Sequence, residues 1–235
     1  MTTLVRTGLP GASEPLYAPI PVPGDNRLGV ISGDIASQGW SWQPGFLPDD
    51  LTAALRAEIF ARDAEQELAI AGIGREDAFQ LDRSVRLTRI SWMDGSSAAQ
   101  RAFFDWAEQL RRSLNRALMI GLFDFESCYA VYPEGGFYDR HLDSFEGARN
   151  RVMSLVVYLN EDWTDEKGGA LVIWPERASA SDAPAARLLP HGAGVAFMLS
   201  ETVPHAVEVT HARRYAIAGW WRVNQSGDGK VDPIT

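Results

Sequence analysis

The sequence predicts an α+β fold, in which two helices are followed by a series of short strands. Apolar residues recur at helical spacing in the first half of the chain. From Glu126 onward, short β-rich runs alternate with glycine-containing turns that begin at Pro133, Lys167 and Pro190. Helices followed by consecutive strands favour segregated layers, so we expect the helices to pack on one sheet of a sandwich or barrel.

The N-terminal segment is expected to be an irregular arm outside this fold. Residues 1–40 are rich in Pro, Gly and Ser and show no clear period. Residues 41–224 contain no internal repeat or further boundary, so we expect one domain there and a short tail at 225–235. The chain of 235 residues is large enough for one well-packed core.

Two amphipathic helices are expected, over Asp49–Ala71 and Ser97–Met119. Asp49 or Asp50 is suited to cap the first helix, because a carboxylate oxygen accepts hydrogen bonds from the first backbone N–H groups. Apolar positions recur at the spacing of one buried helix face. These positions are Leu51, Leu55 and Ile59 in the first helix and Phe103, Ala107, Leu110, Leu114 and Leu118 in the second.

The rest of the chain is predicted to consist of loops and strands. Residues 72–83 combine charges with two glycines, which predicts a mobile loop between the helices, and the strand Val85–Trp92 follows it. Runs rich in β-branched and aromatic residues then predict five further strands. They are Ser127–Tyr132, Val152–Leu159, Ala170–Trp174, Gly194–Leu199 and Tyr215–Val223.

Composition limits the classes of function. With 31 acidic and 22 basic residues the net charge is −9, which disfavours the phosphate contacts of nucleic-acid binding. No stretch approaches the roughly 18 consecutive apolar residues of a membrane helix, and the N-terminus lacks the apolar core of a secretory signal. We therefore expect a cytoplasmic protein with neither a nucleic-acid nor a membrane partner. The single cysteine, Cys128, excludes an internal disulfide and is expected to be a buried, inert thiol.

A His-x-Asp pair, His141 and Asp143, is the main candidate for chemistry. Residues i and i+2 of an extended strand point to the same face, so both side chains can reach one ion. His205 lies far enough along the chain for several strands to return beside the first, and it can complete the set. Two imidazoles and one carboxylate hold Fe(II) on one face and leave positions open for a cosubstrate and O₂.

An arginine shortly after His205 extends this pattern to a 2-oxo acid site. Arg214 shares a predicted strand face with the small residues Ala216 and Ala218, which leave space for a bound acid. Its neighbour Arg213 lies on the opposite face and is expected to point to solvent, whereas a register shifted by one residue would exchange the two arginines. A guanidinium is a fixed cation that suits the far carboxylate of a 2-oxo acid.

Other interpretations of the same residues stay open. His141 can be an ordinary histidine with Asp143 as its hydrogen-bond partner, and the same three ligands can hold Zn(II) in a hydrolase. A hydrolase site has no use for a buried Arg214. The remaining histidines, His191 and His211, lie in a Pro/Gly turn and a polar loop and are expected to be solvated.

Five segments between about residues 120 and 223 resemble those of a known family and follow one another in the same order. They are Tyr132-Pro-Glu-Gly-Gly-Phe-Tyr138-Asp-Arg-His141-Leu-Asp143, Val156-Val-Tyr158-Leu-Asn-Glu-Asp-Trp163, Gly168-Gly-Ala-Leu171, Pro204-His205-Ala-Val207 and Arg214-Tyr-Ala-Ile-Ala-Gly-Trp220. Together they resemble the 2-oxoglutarate-dependent prolyl hydroxylases, in particular the oxygen-sensing type of animals and its bacterial relatives. The resemblance extends more weakly over residues 44–119.

The resemblance implies a fold and a reaction. The fold is a double-stranded β-helix, or jelly roll, with flanking N-terminal helices and a core at about residues 120–223. The implied reaction hydroxylates a C–H bond, with a prolyl residue of a protein or peptide as the expected target, and decarboxylates 2-oxoglutarate to succinate and CO₂. The implied cofactors are Fe(II), the cosubstrate 2-oxoglutarate and O₂, with ascorbate as an optional accessory.

The resemblance also implies a role for individual residues, and it adds no catalytic residue beyond the metal centre. The metal ligands would be His141, Asp143 and His205. Arg214 and Tyr158 would bind the far carboxylate of 2-oxoglutarate. Contacts from Tyr132, Leu171, Val207 and Tyr138 would complete the cosubstrate pocket, and Arg151, Trp220 and Arg86 would border the substrate entrance.

Departures from the family concern the substrate. The loop at 72–83, which folds over the substrate in the family, shares little with the animal enzymes, and the strand containing Arg86 and Trp92 lacks the family's Gly-Asp. A free amino acid or another small metabolite is therefore an alternative substrate. A non-catalytic module that senses metal or 2-oxoglutarate is an alternative of another class. The sequence does not indicate an oligomeric state.

Overall fold

The computed structural model describes residues 26–71, 84–144 and 151–223. Within these ranges the chain forms three α-helices and eleven strands. In chain order they are α1 (Arg27–Gln38), β1 (Trp40–Gln43), α2 (Asp49–Ala64), β2 (Ala69–Ile70), β3 (Arg89–Trp92), α3 (Ala98–Leu118), β4 (Asp124–Tyr132), β5 (Tyr138–His141), β6 (Arg151–Tyr158), β7 (Leu171–Ile173), β8 (Ala186–Leu188), β9 (Val195–Leu199), β10 (His205–Val207) and β11 (Arg214–Arg222).

The strands form two antiparallel sheets. The larger sheet has the order β1-β9-β6-β11-β4-β3-β2, and the smaller one has the order β5-β10-β7-β8. Buried side chains from both sheets form one apolar cluster, which includes Ala130, Met198 and Ala216 of the larger sheet and Ile173 and Val207 of the smaller one. The sheets therefore face each other, as the predicted jelly roll requires.

The helices cover the other face of the larger sheet. Leu55 of α2 and Leu110 of α3 are fully buried in a second apolar cluster that contains Phe197 and Trp221 of the sheet. Full burial of such a side chain contributes roughly 1.5–3 kcal/mol. The predicted second helix is confirmed, since α3 buries the expected stripe except for the half-buried Leu118, and its N-cap, Ser97, accepts a hydrogen bond from the backbone N–H of Gln100 at 3.0 Å.

The expected irregular arm over residues 1–40 is wrong for the part that the structure describes. Residues 27–38 form α1, and β1 begins at Trp40. The glycines and serines of this segment are poor helix formers, but Ile31 and Ile35 are buried against the core. Tertiary packing of two apolar side chains outweighs the weak intrinsic propensity.

The first predicted helix is confirmed in its first four turns, but its predicted end at Ala71 is wrong. Helix α2 ends at Ala64, the next residues turn through Gln66 at a φ of +60°, and Ala69–Ile70 pairs with β3. Pairing with a sheet edge therefore replaces the last predicted turns. Its N-cap position is occupied by Pro48, so Asp49 and Asp50 lie in the first turn.

All five strands predicted after residue 126 occur, as β4, β6, β7, β9 and β11, with shifted ends. Strands β1, β2, β8 and β10 are additional; each spans four residues or fewer, too short to display an alternating pattern. Strand β5 is the extended segment expected at His141, and β3 begins at Arg89 rather than at the predicted Val85. Among the described residues, no helix combines the length and the hydropathy needed to cross a membrane. The predicted loop at 72–83, the first 25 residues and the tail at 225–235 lie outside the described ranges.

Candidate metal and 2-oxo acid site

The smaller sheet brings His141, Asp143 and His205 together. His141 in β5 and His205 in β10 are direct cross-strand partners, and Asp143 follows β5 by two residues. The Nε2 atom of His141 lies 3.6 Å from Oδ1 of Asp143, and Nε2 of His205 lies 3.5 Å from Oδ2. The three ligand atoms lie within 4.8 Å of one another, a spacing that fits one metal ion.

Both histidine rings are oriented by backbone carbonyl groups. Nδ1 of His141 lies 2.7 Å from the carbonyl oxygen of Asp139, and Nδ1 of His205 lies 3.2 Å from that of Val203. A carbonyl oxygen only accepts, so each Nδ1–H is the donor and each Nε2 keeps a free lone pair directed at the cluster. This is the arrangement that fixes tautomer and ring orientation in metal-binding histidines.

The protonation states suit a metal site. Burial opposes ionisation of Asp143, but the electrostatic effect of the adjacent His205, together with a hydrogen bond from Ser154, holds the pKa of its carboxyl well below its usual range. Burial, assisted by the neighbouring His141, lowers the pKa of His205 to about 4. One anionic carboxylate and a neutral imidazole are the states in which these groups bind metals.

A stack of side chains supports His141 from one side. The ring of Tyr138 lies on the His141 ring, with centroids 3.5 Å apart and planes inclined by 18°. The guanidinium of Arg86 lies 4.5 Å from the centroid of the Tyr138 ring on which it rests. Burial raises the pKa of Tyr138 to about 12, so its phenol stays protonated at neutral pH.

A buried cation lies in the same inter-sheet space. Arg214 is 1% exposed, and its Nε donates to the carbonyl oxygen of Gly169 at 2.9 Å. Nη2 of Arg214 and the hydroxyl of Tyr158 are both buried, and neither has a hydrogen-bond partner within the described ranges. Burial raises the pKa of Tyr158 to about 12, so its hydroxyl is a donor. A buried donor without a partner costs about 1–3 kcal/mol, so this pair fits an anion that accepts from both.

The predicted opposite orientation of the two neighbouring arginines is confirmed. Arg213 points outward, where its Nε lies 2.6 Å from Oδ2 of Asp63 in α2. The hydroxyl of Tyr215 donates to the same carboxylate at 3.0 Å. Asp63 thus ties both neighbours of Arg214 to helix α2, which leaves the Arg214 side chain directed between the sheets.

The other predicted pocket residues lie around Arg214. Its guanidinium is 4.7 Å from the ring centroid of Tyr132 and 5.1 Å from that of Tyr158. Leu171 and Val207 are buried in the same inter-sheet cluster. Val207 and His205 share one face of β10, so the arginine pocket and the histidine cluster adjoin.

The residues predicted at the substrate entrance form a separate group around the far end of β11. The Arg151 guanidinium lies 3.7 Å from the Trp220 ring centroid and pairs with Glu126, whose Oε1 is 2.7 Å from Nη2. Trp92, half exposed, lies beside Trp220 with ring centroids 6.2 Å apart. Arg86 belongs instead to the stack on His141, and it lies before β3, where it forms an isolated bridge with Tyr138.

The remaining predictions for single side chains are confirmed. His191 and His211 are exposed. Cys128 is buried, and burial raises the pKa of its thiol to about 12. The sequence reasoning missed Gly169, Asp63 and Ser154. A signal for Ser154 existed, because it is a polar residue on the Tyr158 face of an otherwise apolar strand.

Comparison with known proteins gives the family of this site. The model of the 2OG-Fe(II) oxygenase superfamily matches residues 127–222. A crystal structure of a Pseudomonas putida prolyl-4-hydroxylase is 37% identical with a TM-score of 0.73, and the match covers 83% of this chain and 98% of that one. The chain belongs to the prolyl hydroxylase family of Fe(II)- and 2-oxoglutarate-dependent oxygenases. Members of this family use Fe(II), 2-oxoglutarate and O₂.

Two further known proteins are similar to this chain, one in fold and one in sequence over part of its length. A Trichoplax adhaerens prolyl hydroxylase, solved with a peptide fragment of the hypoxia inducible factor oxygen degradation domain, is 20% identical with a TM-score of 0.72 and coverage of 84% and 89%. Egl nine homolog 1 of Rattus norvegicus is 37% identical over 96 residues, which are 39% of this chain and 27% of that protein. The chain therefore matches about a quarter of the length of this curated relative.

Proposed function

We propose that this oxygenase hydroxylates a prolyl residue of a protein or peptide and decarboxylates 2-oxoglutarate to succinate and CO₂. The observation that carries the proposal is the pair of buried donor atoms without a partner in the described ranges, Nη2 of Arg214 and the hydroxyl of Tyr158, beside a cluster of two histidines and one aspartate. A hydrolase with the same cluster would have no ligand for those donors. The 37% identity to a prolyl-4-hydroxylase over nearly its whole length supports proline as the target.

We assign Fe(II) binding to His141, Asp143 and His205. Their chemistry fits this ion, since two imidazoles and one carboxylate on one side leave other positions available. When bound, Fe(II) supplies the redox chemistry that couples O₂ and 2-oxoglutarate to oxygen transfer. The protein holds the ligands in place through the carbonyl groups behind both histidines and the Tyr138 ring stacked on His141.

We assign the far carboxylate of 2-oxoglutarate to Arg214 and Tyr158. Arg214 contributes a charge and Tyr158 a neutral O–H, and the carboxylate would satisfy both buried donors. Tyr132, Leu171 and Val207 form the surrounding wall, and Tyr138 lies between this wall and the metal cluster. An apolar wall restricts water around the reacting groups, which protects a reactive site from side reactions.

We assign the substrate to the side of the cluster where Arg151, Trp220 and Arg86 lie. The buried Trp220 ring contacts Arg151 and Trp92, and its indole Nε1 is a donor without a partner among the described residues. A peptide carbonyl is an acceptor that suits this donor. Arg86 provides a cation next to Tyr138. The cytoplasmic location inferred from the sequence stays a prediction.

The test is residue-level mapping of oxygen incorporation. The purified chain with Fe(II), 2-oxoglutarate, ascorbate and ¹⁸O₂ is incubated with a panel of proline-containing peptides and proteins, and products are analysed by tandem mass spectrometry. We expect ¹⁸O on prolyl residues in amounts that match the succinate formed. Asp143→Ala should abolish both signals. Label confined to other residues, or to free amino acids in a metabolite mixture, would contradict the prolyl assignment.

A further inference from the structure

A buried chain of two hydroxyl groups holds the Asp143 carboxylate. The Oγ atom of Ser154 lies 2.6 Å from Oδ2 of Asp143, and the Oγ atom of Ser200 lies 2.9 Å from that of Ser154. Both serines are 1% exposed, so water does not compete for these bonds. Ser154 lies on the face of β6 that also carries Tyr158, so one strand face contacts both the metal cluster and the arginine pocket.

The direction of each hydrogen bond follows from the chemistry of the groups. A carboxylate only accepts, so the single proton of Ser154 points to Asp143. Ser154 then has no proton left for Ser200, and Ser200 must donate to Ser154. A donor that is itself an acceptor becomes polarised, which strengthens its bond to the carboxylate.

The main chain fixes the outer end of this chain of hydroxyls. The backbone N–H of Ser200 donates to the carbonyl of Val152 at 3.0 Å, and the carbonyl of Ser200 accepts from the N–H of Ser144 at 3.1 Å. The residue after Asp143 is therefore attached directly to the segment that orients Ser154. Three parts of the fold converge on one carboxylate: the loop after β5, strand β6 and the end of β9.

We propose that Ser154 is a positioning residue that keeps Asp143 a metal ligand through one oxygen, and that Ser200 orients the Ser154 hydroxyl. This inference rests on the proposed metal site. Oδ1 faces His141 and Oδ2 faces His205, so both oxygens of Asp143 lie beside the cluster. The hydrogen bond from Ser154 occupies a lone pair of Oδ2 and thereby favours metal binding through Oδ1. A carboxylate that bound through both oxygens would take one more position of the ion, at the expense of cosubstrate or O₂. Partners behind a metal ligand typically change metal affinity by about 10–100-fold.

The experiment measures Co(II) binding by the metal-free protein, with the ligand-field absorption spectrum as a second readout. Ser154→Ala is expected to weaken Co(II) binding by about 10–100-fold and to change the spectrum, since a freed carboxylate alters the coordination number. Ser200→Ala should change the Co(II) affinity and the spectrum in the same direction, but by a smaller amount. The matched variants Ser154→Thr and Ser154→Val have side chains of similar shape, but only threonine keeps the hydroxyl. Only Ser154→Thr should therefore show the Co(II) affinity and absorption spectrum of wild type.

The outcomes separate this inference from the proposed function. His205→Ala should abolish Co(II) binding; if wild type and His205→Ala bind alike, the metal site itself is wrong. Suppose that wild-type protein binds Co(II) tightly and that this binding depends on His205. If Ser154→Ala then has the same Co(II) affinity and absorption spectrum as wild type, the two serines have only a structural role and the inference is overturned. Equal behaviour of the threonine and valine variants would overturn it as well. The unfolding temperature of each metal-free variant shows whether it is folded.

Discussion

The Nε atom of Arg214 donates a hydrogen bond to the backbone carbonyl of Gly169, and the two residues are so close that a side chain at Gly169 would press against the Arg214 side chain. Gly169 has a φ of +67°, and a Cβ there would lie 3.0 Å from Cδ of Arg214 and 3.0 Å from Cβ of Thr210. Glycine is required here for both reasons. The position of the buried cation therefore depends on a residue that carries no functional group.

Gly169→Ala is expected to weaken 2-oxoglutarate binding, because the added methyl group displaces the Arg214 side chain. The dissociation constant of 2-oxoglutarate, measured by calorimetry on Mn(II)-loaded protein, should rise at least about tenfold, which corresponds to roughly 1.4 kcal/mol. Gly135→Ala is the matched control, since Gly135 also has a positive φ but a Cβ added there would meet no atom within 4 Å. Equal shifts in the two variants would contradict the prediction.

Arg214→Lys should weaken 2-oxoglutarate binding although the charge is kept. An ammonium is a point donor and cannot reproduce the planar fork of a guanidinium. Loss of one hydrogen bond to a charged group costs roughly 1.5–3 kcal/mol, so the dissociation constant should rise about 10–100-fold. The neighbouring change Arg213→Lys alters an outward-pointing side chain and should leave the affinity unchanged. Similar losses in both variants would place the cosubstrate elsewhere.

Tyr158→Phe removes a donor but retains the ring that packs against Trp42, with centroids 5.7 Å apart. We expect the affinity for 2-oxoglutarate to fall by about 10–100-fold, while the metal affinity is retained, since the hydroxyl has no other acceptor in the described part of the chain. Tyr215→Phe is the control on the opposite face of β11, where the lost bond to Asp63 should lower stability and spare binding. Unaltered 2-oxoglutarate affinity in Tyr158→Phe would refute the assigned contact.

Glu58 should make the free energy of unfolding sensitive to acid. Burial alone would raise the pKa of Glu58, but hydrogen bonds from Ser97, Gln100 and Arg62 lower it below its ordinary value of 4.5. The unfolded chain then binds a proton at a higher pH than the folded one, so this contribution is present above pH 4.5 and is lost as the pH falls below it. Urea denaturation between about pH 3 and 7 should show that the free energy of unfolding falls less steeply with acid for Glu58→Gln than for wild type. Parallel curves would argue against this role.

The sequence predicted the elements whose signal is local. Helix α3 has a full apolar stripe and a serine N-cap, and the later strands are rich in β-branched and aromatic residues. Helix α1 was missed because its stability comes from Ile31 and Ile35 contacting residues far along the chain, and not from its own glycine- and serine-containing sequence. The end of α2 was missed for the same reason, since β3 supplies the pairing partner.

The site was predictable where residue type and sequence spacing are sufficient to identify a residue. Examples are the His-x-Asp pair and the strand alternation that places Arg213 and Arg214 on opposite faces. Ser154, Ser200 and Gly169 were not found. Their contributions depend on which residue lies opposite them in the folded chain: Ser154 contacts Asp143 from another strand, and Ser200 lies 46 positions from Ser154. A hydroxyl in a strand has many possible partners, and only the register selects one.

Because His141 pairs directly with His205, metal binding requires the correct register between β5 and β10. A slip by one residue between β5 and β10 would turn a ligand to the opposite face of the smaller sheet and destroy the cluster. Under the proposed ligand set, stoichiometric metal uptake therefore counts only molecules whose smaller sheet has formed in register. Co(II) titration can then serve to measure the yield of refolding, and to distinguish correctly folded protein from compact misaligned material of the same secondary-structure content.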